Sequence, residues 1–271
     1  MGTRHETPAT GGASAESERP LAPPQRVRVL TVNTHKGFTA FNRRFVLHEL
    51  REAVRAVSAD IVFLQEVLGE AVVPARHRSG HWPTSQYEFL ADSIWPQYAY
   101  GKNAVHRGGH HGNALLSKFP IVRFENRDVS VNGRERRGLL HCVLHVPGRE
   151  LQVHAICVHL GLNESQRRWQ LERLCQQIEE KTPPEVPLIV AGDFNDWRLR
   201  AHERLRRCAG LSEVFVQATG SAARTFPARW PVLRLDRIYV RNVRSARPVM
   251  LRPQPWSRLS DHAPLAAEFV L

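Results

Sequence analysis

The sequence predicts an α/β fold in which two sheets lie buried between layers of helix. Three observations carry that expectation. Apolar runs of strand length recur along the chain and end in amide, carboxylate or imidazole residues, as at Ile61–Glu66 and Leu188–Asn195. Stretches with a period near 3.6 stand between them, such as the one carrying Leu171, Leu174 and Ile178. The order of strands and helices does not keep to βαβ alternation, which favours a layered pair of sheets over one parallel sheet.

Taken in order, residues 1–24 are rich in Gly, Ala, Ser, Thr, Glu and Pro, with almost no large apolar group. Such a segment buries too little surface to offset its ordering entropy, so a disordered tail is expected. Patterning is then continuous, and residues 25–271 read as one domain. Val27–Asn33 is largely alternating and β-branched, a strand signal. Asn42 is a candidate N-cap for a helix through Phe45, Leu47, Leu50, Val54 and Val57. Asp60–Glu66 suits a strand buried on both faces, and Leu151–His159, Pro187–Asn195 and Leu235–Val240 repeat that grammar. A helix is expected over Glu164–Lys181, carrying Trp169, Leu171, Leu174 and Ile178. No internal repeat is visible in the sequence.

The chain has 38 Lys and Arg against 26 Asp and Glu, a net charge of +12. That field favours anionic partners such as nucleic acid, phospholipid head groups or phosphorylated metabolites, although a merely solvated basic surface is the plain alternative. Cys142, Cys157, Cys175 and Cys208 form no CxxC pair and no zinc-like spacing with histidine. Cys142 and Cys157 lie in apolar runs and read as inert buried thiols, which fits a reducing compartment. With no apolar signal core and no membrane-spanning run, a cytoplasmic location is expected, and peripheral contact with an anionic membrane stays open. Nothing asks for an obligate protein partner.

Two motifs carry most of the chemistry. In Gly192-Asp193-Phe194-Asn195 an apolar strand delivers a carboxylate and an amide two residues apart, a spacing that on extended backbone aims both to one side. Read alone, it is as well explained by a turn. Ser260-Asp261-His262 places a carboxylate beside an imidazole, suited to metal and phosphate, with a cap or turn as the plain reading. A serine-hydrolase relay is excluded by adjacency and by the lack of a G-x-S-x-G elbow, leaving Ser260 as local support. Glu66 and Asn33 are hard-oxygen groups at strand ends, as magnesium requires. His159 ends another strand, where a lone histidine is more often a satisfied core residue. Asp236-Arg237 opens a further strand and alone reads as a salt bridge.

Together, Asn33, Gln65-Glu66, Gly112-Asn113-Ala114-Leu115-Leu116-Ser117-Lys118, His159, Gly192–Asn195, Asp236-Arg237-Ile238 and Ser260–His262 resemble the endonuclease/exonuclease/phosphatase superfamily. The likeness runs from Val27 to Leu271. Thr34-His35-Lys36-Gly37-Phe38-Thr39-Ala40-Phe41-Asn42-Arg43-Arg44-Phe45 is similar to the bacterial YbhP branch of it. The resemblance implies a four-layer α/β/β/α sandwich, two central mixed sheets flanked by helices, with the site where strand ends of both sheets meet. It implies a metal held by Glu66 with Asn33 and Asp261 nearby, magnesium with manganese as an alternative. Asp193 would orient or deprotonate water, and Asn195 would hold the phosphate, with Asn113 a further phosphate contact. His262, oriented by Asp236, would touch the scissile phosphate, and His159 would be a general acid or second phosphate contact. The expected function is magnesium-dependent hydrolysis of a phosphodiester, in nucleic acid or a phospholipid-type substrate, by direct attack of water. A non-catalytic binder of DNA or anionic membrane on the same scaffold is the competing reading. His110-His111 are either site residues or loop histidines, and the arginines from Arg198 to Arg207 either grip an anion or form a solvated helical face.

Overall fold

A computed structural model describes residues 24–39, 44–71, 85–106, 109–131 and 135–271. The tail expected over residues 1–24, apart from Pro24, and the proposed cap Asn42 lie outside those residues.

One sheet contains β1 (Arg26–Asn33), β2 (Ile61–Ala71), β3 (Gln97–His106), β4 (Gly109–Ser117), β11 (Ser245–Val249) and β12 (Leu265–Val270), in the order β11-β12-β1-β2-β4-β3. The other contains β5 (Ile121–Asp128), β6 (Gly138–Val146), β7 (Leu151–His159), β8 (Leu188–Asp193), β9 (Ser212–Glu213) and β10 (Asp236–Arg241), in the order β5-β6-β7-β8-β10-β9. Helices α1 (Leu47–Val57) and α2 (Gln86–Ala91) cover the first sheet. Helices α3 (Glu164–Lys181) and α4 (Arg200–Ala209) cover the second, and the short α5 (Val214–Thr219) packs Val214 and Phe215 into the core between the sheets. The expected four-layer sandwich is the observed fold.

Alternation along the strands builds the layers. Val27 and Val29 of β1 face inward with Phe63, Leu115, Leu140, Ala155 and Ile189, forming the core between the sheets. Leu30 and Val32 face outward to Leu50 and Val54 of α1. On the far side Ile156, Val158 and Val190 meet Leu171, Leu174 and Ile178 of α3. Trp169 of that helix is 37% exposed and turns away from the core. Helix α1 begins at Leu47, later than the apolar spacing suggested, with Val46 at its N-cap.

The two sheets repeat one plan that the sequence hides. In each, a single parallel pair stands at the centre, β1 with β2 and β7 with β8, flanked on both sides by antiparallel pairs. In these pairs Asn33 lies opposite Gln65, and His159 lies opposite Asp193. Parallel strands end at the same edge of a sheet, so both sheets deliver polar residues to one end of the sandwich.

Candidate active site

The site is built where those strands stop. β1 ends in Asn33, β7 in His159 and β8 in Asp193; β10 opposes β8 antiparallel and begins at Asp236, in register with Asp193. β12 pairs antiparallel with β1, and the Ser260–His262 loop that leads into it reaches the same end. Ser260 fastens this loop: its Oγ donates to Asn33 O at 2.7 Å and accepts from His262 N at 3.3 Å. Ser260 is thus the local support expected.

Glu66 arrives by a different device. Along β2 the pairing with β4 slips between Leu64 and Val67, leaving one residue extra. Gln65 points inward, its Nε2 donating to Thr31 Oγ1 and Cys157 Sγ at 3.2 Å each. Glu66 at φ 56 is the extra residue of this β-bulge, and so escapes the outward direction that alternation would give it. Thr34 Oγ1 donates to the carbonyls of Gln65 and Glu66 and holds the bulge against the end of β1. Left-handed backbone gathers here: His35, Lys36, Glu66 and Asn195 all have φ between 45° and 56°. Each costs on the order of 1–3 kcal/mol, tolerated where the surroundings fix the conformation. Gly192 is required for another reason, since a Cβ there would lie 2.0 Å from Val158 O of the neighbouring strand.

Asp193 is the hub. Its Oδ1 accepts from Asn195 N at 2.8 Å and its Oδ2 accepts from Asn33 Nδ2 at 3.2 Å. The same Oδ2 lies 3.7 Å from His159 Nε2 and 3.9 Å from His262 Nε2. His262 Nδ1 is paired with Asp236 Oδ2 at 2.9 Å, which fixes the ring, and Phe226 packs on it at 5.1 Å between centroids. Asn195 does not converge on Asp193 along an extended strand. β8 ends at Asp193, and the left-handed Asn195 turns back so that its Nδ2 donates to Leu160 O at 2.9 Å. One amide hydrogen of that side chain is left for a ligand.

Burial and charge divide the protons unequally. Burial raises the Asp193 carboxyl, and Asp236 and Glu66 add to that against the pull of His262. Burial works against an imidazolium at His262, yet Asp236 and Asp193 outweigh it and raise its pKa to about 10. Burial, with Arg137 adding to it, lowers His159 well below the usual range, so that ring is neutral at neutral pH. Burial raises the Glu66 carboxyl, but the basic side chains beside it bring it below the ordinary carboxylate range. Because His159 is neutral, Lys36 is the standing counter-charge, its Nζ 3.2 Å from Glu66 Oε2. Asp261 has a similar partner in His35, whose Nδ1 lies 3.0 Å from its Oδ2.

A carboxylate, an imidazolium fixed by a second carboxylate and a neutral imidazole now surround one point at the meeting of two six-stranded sheets. The family model described as the endonuclease/exonuclease/phosphatase family matches residues 30–262. The chain belongs to the endonuclease/exonuclease/phosphatase family. It is 56% identical to the YbhP protein of Escherichia coli strain K12 over 245 residues, 90% of this chain and 96% of that protein. The crystal structure of a family protein from Beutenbergia cavernae superposes with a TM-score of 0.73 at 21% identity, covering 91% of this chain and 72% of that one. Truncated TDP2 from Caenorhabditis elegans superposes at 0.65 with 20% identity, over 91% and 98% of the two chains.

Two groups in this family site could hold a metal. Asp193, Asp236 and His262 bring ligand atoms within 4.8 Å of one another. In that set, however, His262 Nδ1 and an Asp236 oxygen are already committed to each other. Asn33, Glu66 and Asp261 offer oxygens, the donor type a hard cation takes; Glu66 meets the ammonium of Lys36, Asp261 meets the ring of His35, and Asn33 Oδ1 accepts from His35 N at 3.1 Å. An ammonium resting on Glu66 marks a place where positive charge is wanted. By donor type alone, the second group is the one suited to a hard cation.

Other expected site residues fall elsewhere. Asn113 is fully buried between the sheets, where its Nδ2 donates to Gly138 O at 2.9 Å and Cys157 O at 3.4 Å. That amide bridges the sheets and is not presented to a phosphate. His110 and His111 lie on successive residues of β4 and diverge: His110 Nδ1 pairs with Tyr100 Oη at 2.9 Å, while His111 is close enough to His159 to lower its pKa. The arginines of α4 and the turn before it are ion-paired with Glu164, Glu172 and Glu203, which agrees with the solvated face, one of the two readings the sequence left open. Cys175 and Cys208 form a disulfide between α3 and α4, which removes the cysteine argument for a reducing compartment; Cys142 and Cys157 are buried free thiols. Among the described residues no helix is long and apolar enough to cross a membrane. His35 and Lys36, which were visible only as part of a branch motif, are the site residues that sequence reasoning left without a role.

Proposed function

We propose that the protein hydrolyses a phosphodiester, in nucleic acid or a phospholipid, by direct attack of water with no covalent enzyme intermediate. The observation that carries this reading is the trio at Asp193 Oδ2: a carboxylate whose proton affinity burial has raised, an imidazolium 3.9 Å away and a neutral imidazole 3.7 Å away. Asp193 takes the proton of the attacking water as the water oxygen bonds to phosphorus and the P–O bond to the leaving alcohol breaks, the leaving oxygen taking its proton from solvent. His262 donates from Nε2 to a phosphoryl oxygen and balances the charge that grows there, the kind of preorganised electrostatic help that commonly dominates catalysis. Asp236 keeps that ring oriented and protonated. His159 and the free amide hydrogen of Asn195 donate to the remaining oxygens; as a neutral group His159 serves better as a phosphate contact than as an acid.

Asn33, Glu66 and Asp261 would hold a divalent cation, magnesium or manganese. When bound, it supplies Lewis-acid stabilisation of the phosphoryl oxygens. Support for nucleic acid comes from a related structure, Danio rerio TDP2 complexed with single strand DNA product, with TM-score 0.60 and 18% identity over 90% of this chain and 98% of that one. A binder without catalysis would have no use for Asp193, Asp236, Glu66 and Asp261 clustered where an anion must sit. The deciding assay uses a small chromogenic phosphodiester with magnesium and then with EDTA. Turnover that needs the metal and is lost in Asp193→Ala supports the reading, and equal rates in all three conditions overturn it.

A further inference from the structure

The end of the sandwich that carries the site is also where apolar side chains crowd the surface. Leu162 follows β7 and is 65% exposed; Trp197 follows β8 at 50%. Trp230 at 68% and Val232 at 59% lie in the loop before β10, and Met250 at 83% follows β11, whose last residue pairs with Ala266 beside the start of β12. These connections therefore leave the same edge as His159, Asp193, Asp236 and His262. Backbone bonds tie the Trp230 loop to the catalytic one, from Ala228 N to Asp261 O at 2.7 Å and from Ala263 N to Thr225 O at 2.8 Å.

Between the Trp230 and Met250 loops opens a cavity of about 260 Å³. Leu251, Trp256 and Leu265 are among its walls. Arg224, Arg229 and Arg252 are its charged residues, and among the described residues no carboxylate lines it. An apolar hollow rimmed by arginines, beside protruding tryptophan, valine and methionine, matches an anionic amphiphile in both parts: apolar groups for the chain, guanidinium groups for the phosphate.

We propose that this end of the protein docks on an anionic phospholipid bilayer, with Trp230, Val232 and Met250 entering the interface and the arginine-rimmed cavity receiving the apolar part of a lipid. Docking brings lipid phosphodiesters to the catalytic strand ends. The proposal rests on the phosphodiesterase reading for the lipid as substrate, while the docking itself is argued from the surface alone. A single nucleic-acid strand is the less suitable occupant. Leu162, Val232 and Met250 have no π-face on which a base can stack. The two tryptophans each have a guanidinium over the ring already, Arg198 on Trp197 and Arg229 on Trp230, both at 4.6 Å. Tryptophan and arginine together are at home at the level of lipid head groups, where ring and stem are half dry and the polar tip is wet.

The test needs no turnover. The full chain, in EDTA, is sedimented with vesicles of equimolar phosphatidylglycerol and phosphatidylcholine, with vesicles of phosphatidylcholine alone, and titrated separately with a single-stranded oligonucleotide. The expected result is sedimentation with the anionic vesicles and a blue shift of tryptophan emission, with little of either on phosphatidylcholine. The Trp230→Ala/Val232→Ser variant should partition at least about tenfold more weakly while keeping its melting temperature. Met250→Ser, on a separate loop, should weaken partition in the same direction and covers the case in which the first variant does not fold. Wild type that stays in the supernatant, variants that sediment as well as wild type, or an oligonucleotide affinity that depends on Trp230 and Val232 while vesicle binding does not, would each overturn the proposal. Lack of sedimentation alongside intact magnesium-dependent diester hydrolysis would sink docking alone.

Discussion

His262 Nε2 stands 3.9 Å from Asp193 Oδ2, beyond hydrogen-bond reach, while Nδ1 of the same ring is locked to Asp236 at 2.9 Å. The ring is thus held by one carboxylate and offered to the space beside another. A phosphoryl oxygen placed there would be within reach of the imidazolium, with the attacking water on Asp193. The geometry separates a residue that orients from a residue that reacts.

Asp193→Asn should therefore lower kcat by about 10²–10⁴-fold, the usual contribution of a positioned general base. An amide is near the same size and keeps an acceptor for Asn195 N but none for Asn33 Nδ2, so circular dichroism is recorded beside the rate to show that the fold is kept. Asp236→Asn should also lower kcat, by less, and should shift the alkaline limb of the pH–rate profile downward because His262 loses its main counter-charge. Steady-state kinetics on a small diester checks both, and a Asp193→Asn rate near wild type would remove Asp193 from the role of base.

Stability in metal-free buffer should follow the proton on His262. Its pKa rises from 6.5 to about 10 on folding, so the folded state binds that proton more tightly. A raised histidine contributes stability that is fully present below about pH 6.5 and is lost as the pH climbs through about 10. The melting temperature of the wild type should fall across that window more steeply than that of His262→Gln. The variant will start lower, because Asp236 is left buried without its partner, and the slope is the readout. Parallel curves for the two proteins would show that the proton is not held as described.

Much of this centre is legible in the sequence because strand ends are local. Asn33, His159 and Asp193 each close an apolar run, and counting along the run finds them. What escapes needs a third dimension. The bulge that re-aims Glu66 is a property of its pairing with β4, and its left-handed backbone cannot be read from Gln65-Glu66-Val67. Asn113 carries a motif amide, but its role depends on β6 and β7 passing close enough to accept from it. The shared plan of the two sheets leaves no repeated residues, because only polarity and order recur. Lys36 and His35 are adjacent basic residues in a loop until Glu66 and Asp261 are brought to them.

The ammonium of Lys36 leads to a prediction about metal binding that is independent of turnover. Lys36→Met removes the ammonium from Glu66 and with it a competitor for that carboxylate. Lys36 is 40% exposed, so the ion pair is a modest one, and magnesium affinity by calorimetry should tighten by roughly two- to fivefold. Glu66→Gln, which removes an anionic oxygen, should weaken it by more than about tenfold. Weaker binding in Lys36→Met would mean that Lys36 helps to hold the metal site together instead of occupying it.

The last prediction concerns the helical layer over the second sheet. Cys175 on α3 and Cys208 on α4 are joined across 33 residues of chain that include the whole of β8 and Asp193. Closing a loop of that length in the unfolded chain should stabilise the folded protein by about 3–4 kcal/mol on the chain-entropy account. The pair is independent of the catalytic hydrogen bonds, so its loss should appear first in stability. Urea unfolding followed with and without reductant should show the midpoint fall on reduction, and Cys175→Ser/Cys208→Ser should behave alike in both conditions at the lower value. The buried thiols Cys142 and Cys157 do not confound the comparison, because burial raises both far above the range in which a thiolate forms at neutral pH. A midpoint that ignores reductant would mean the two cysteines stand side by side without a bond that matters to the fold.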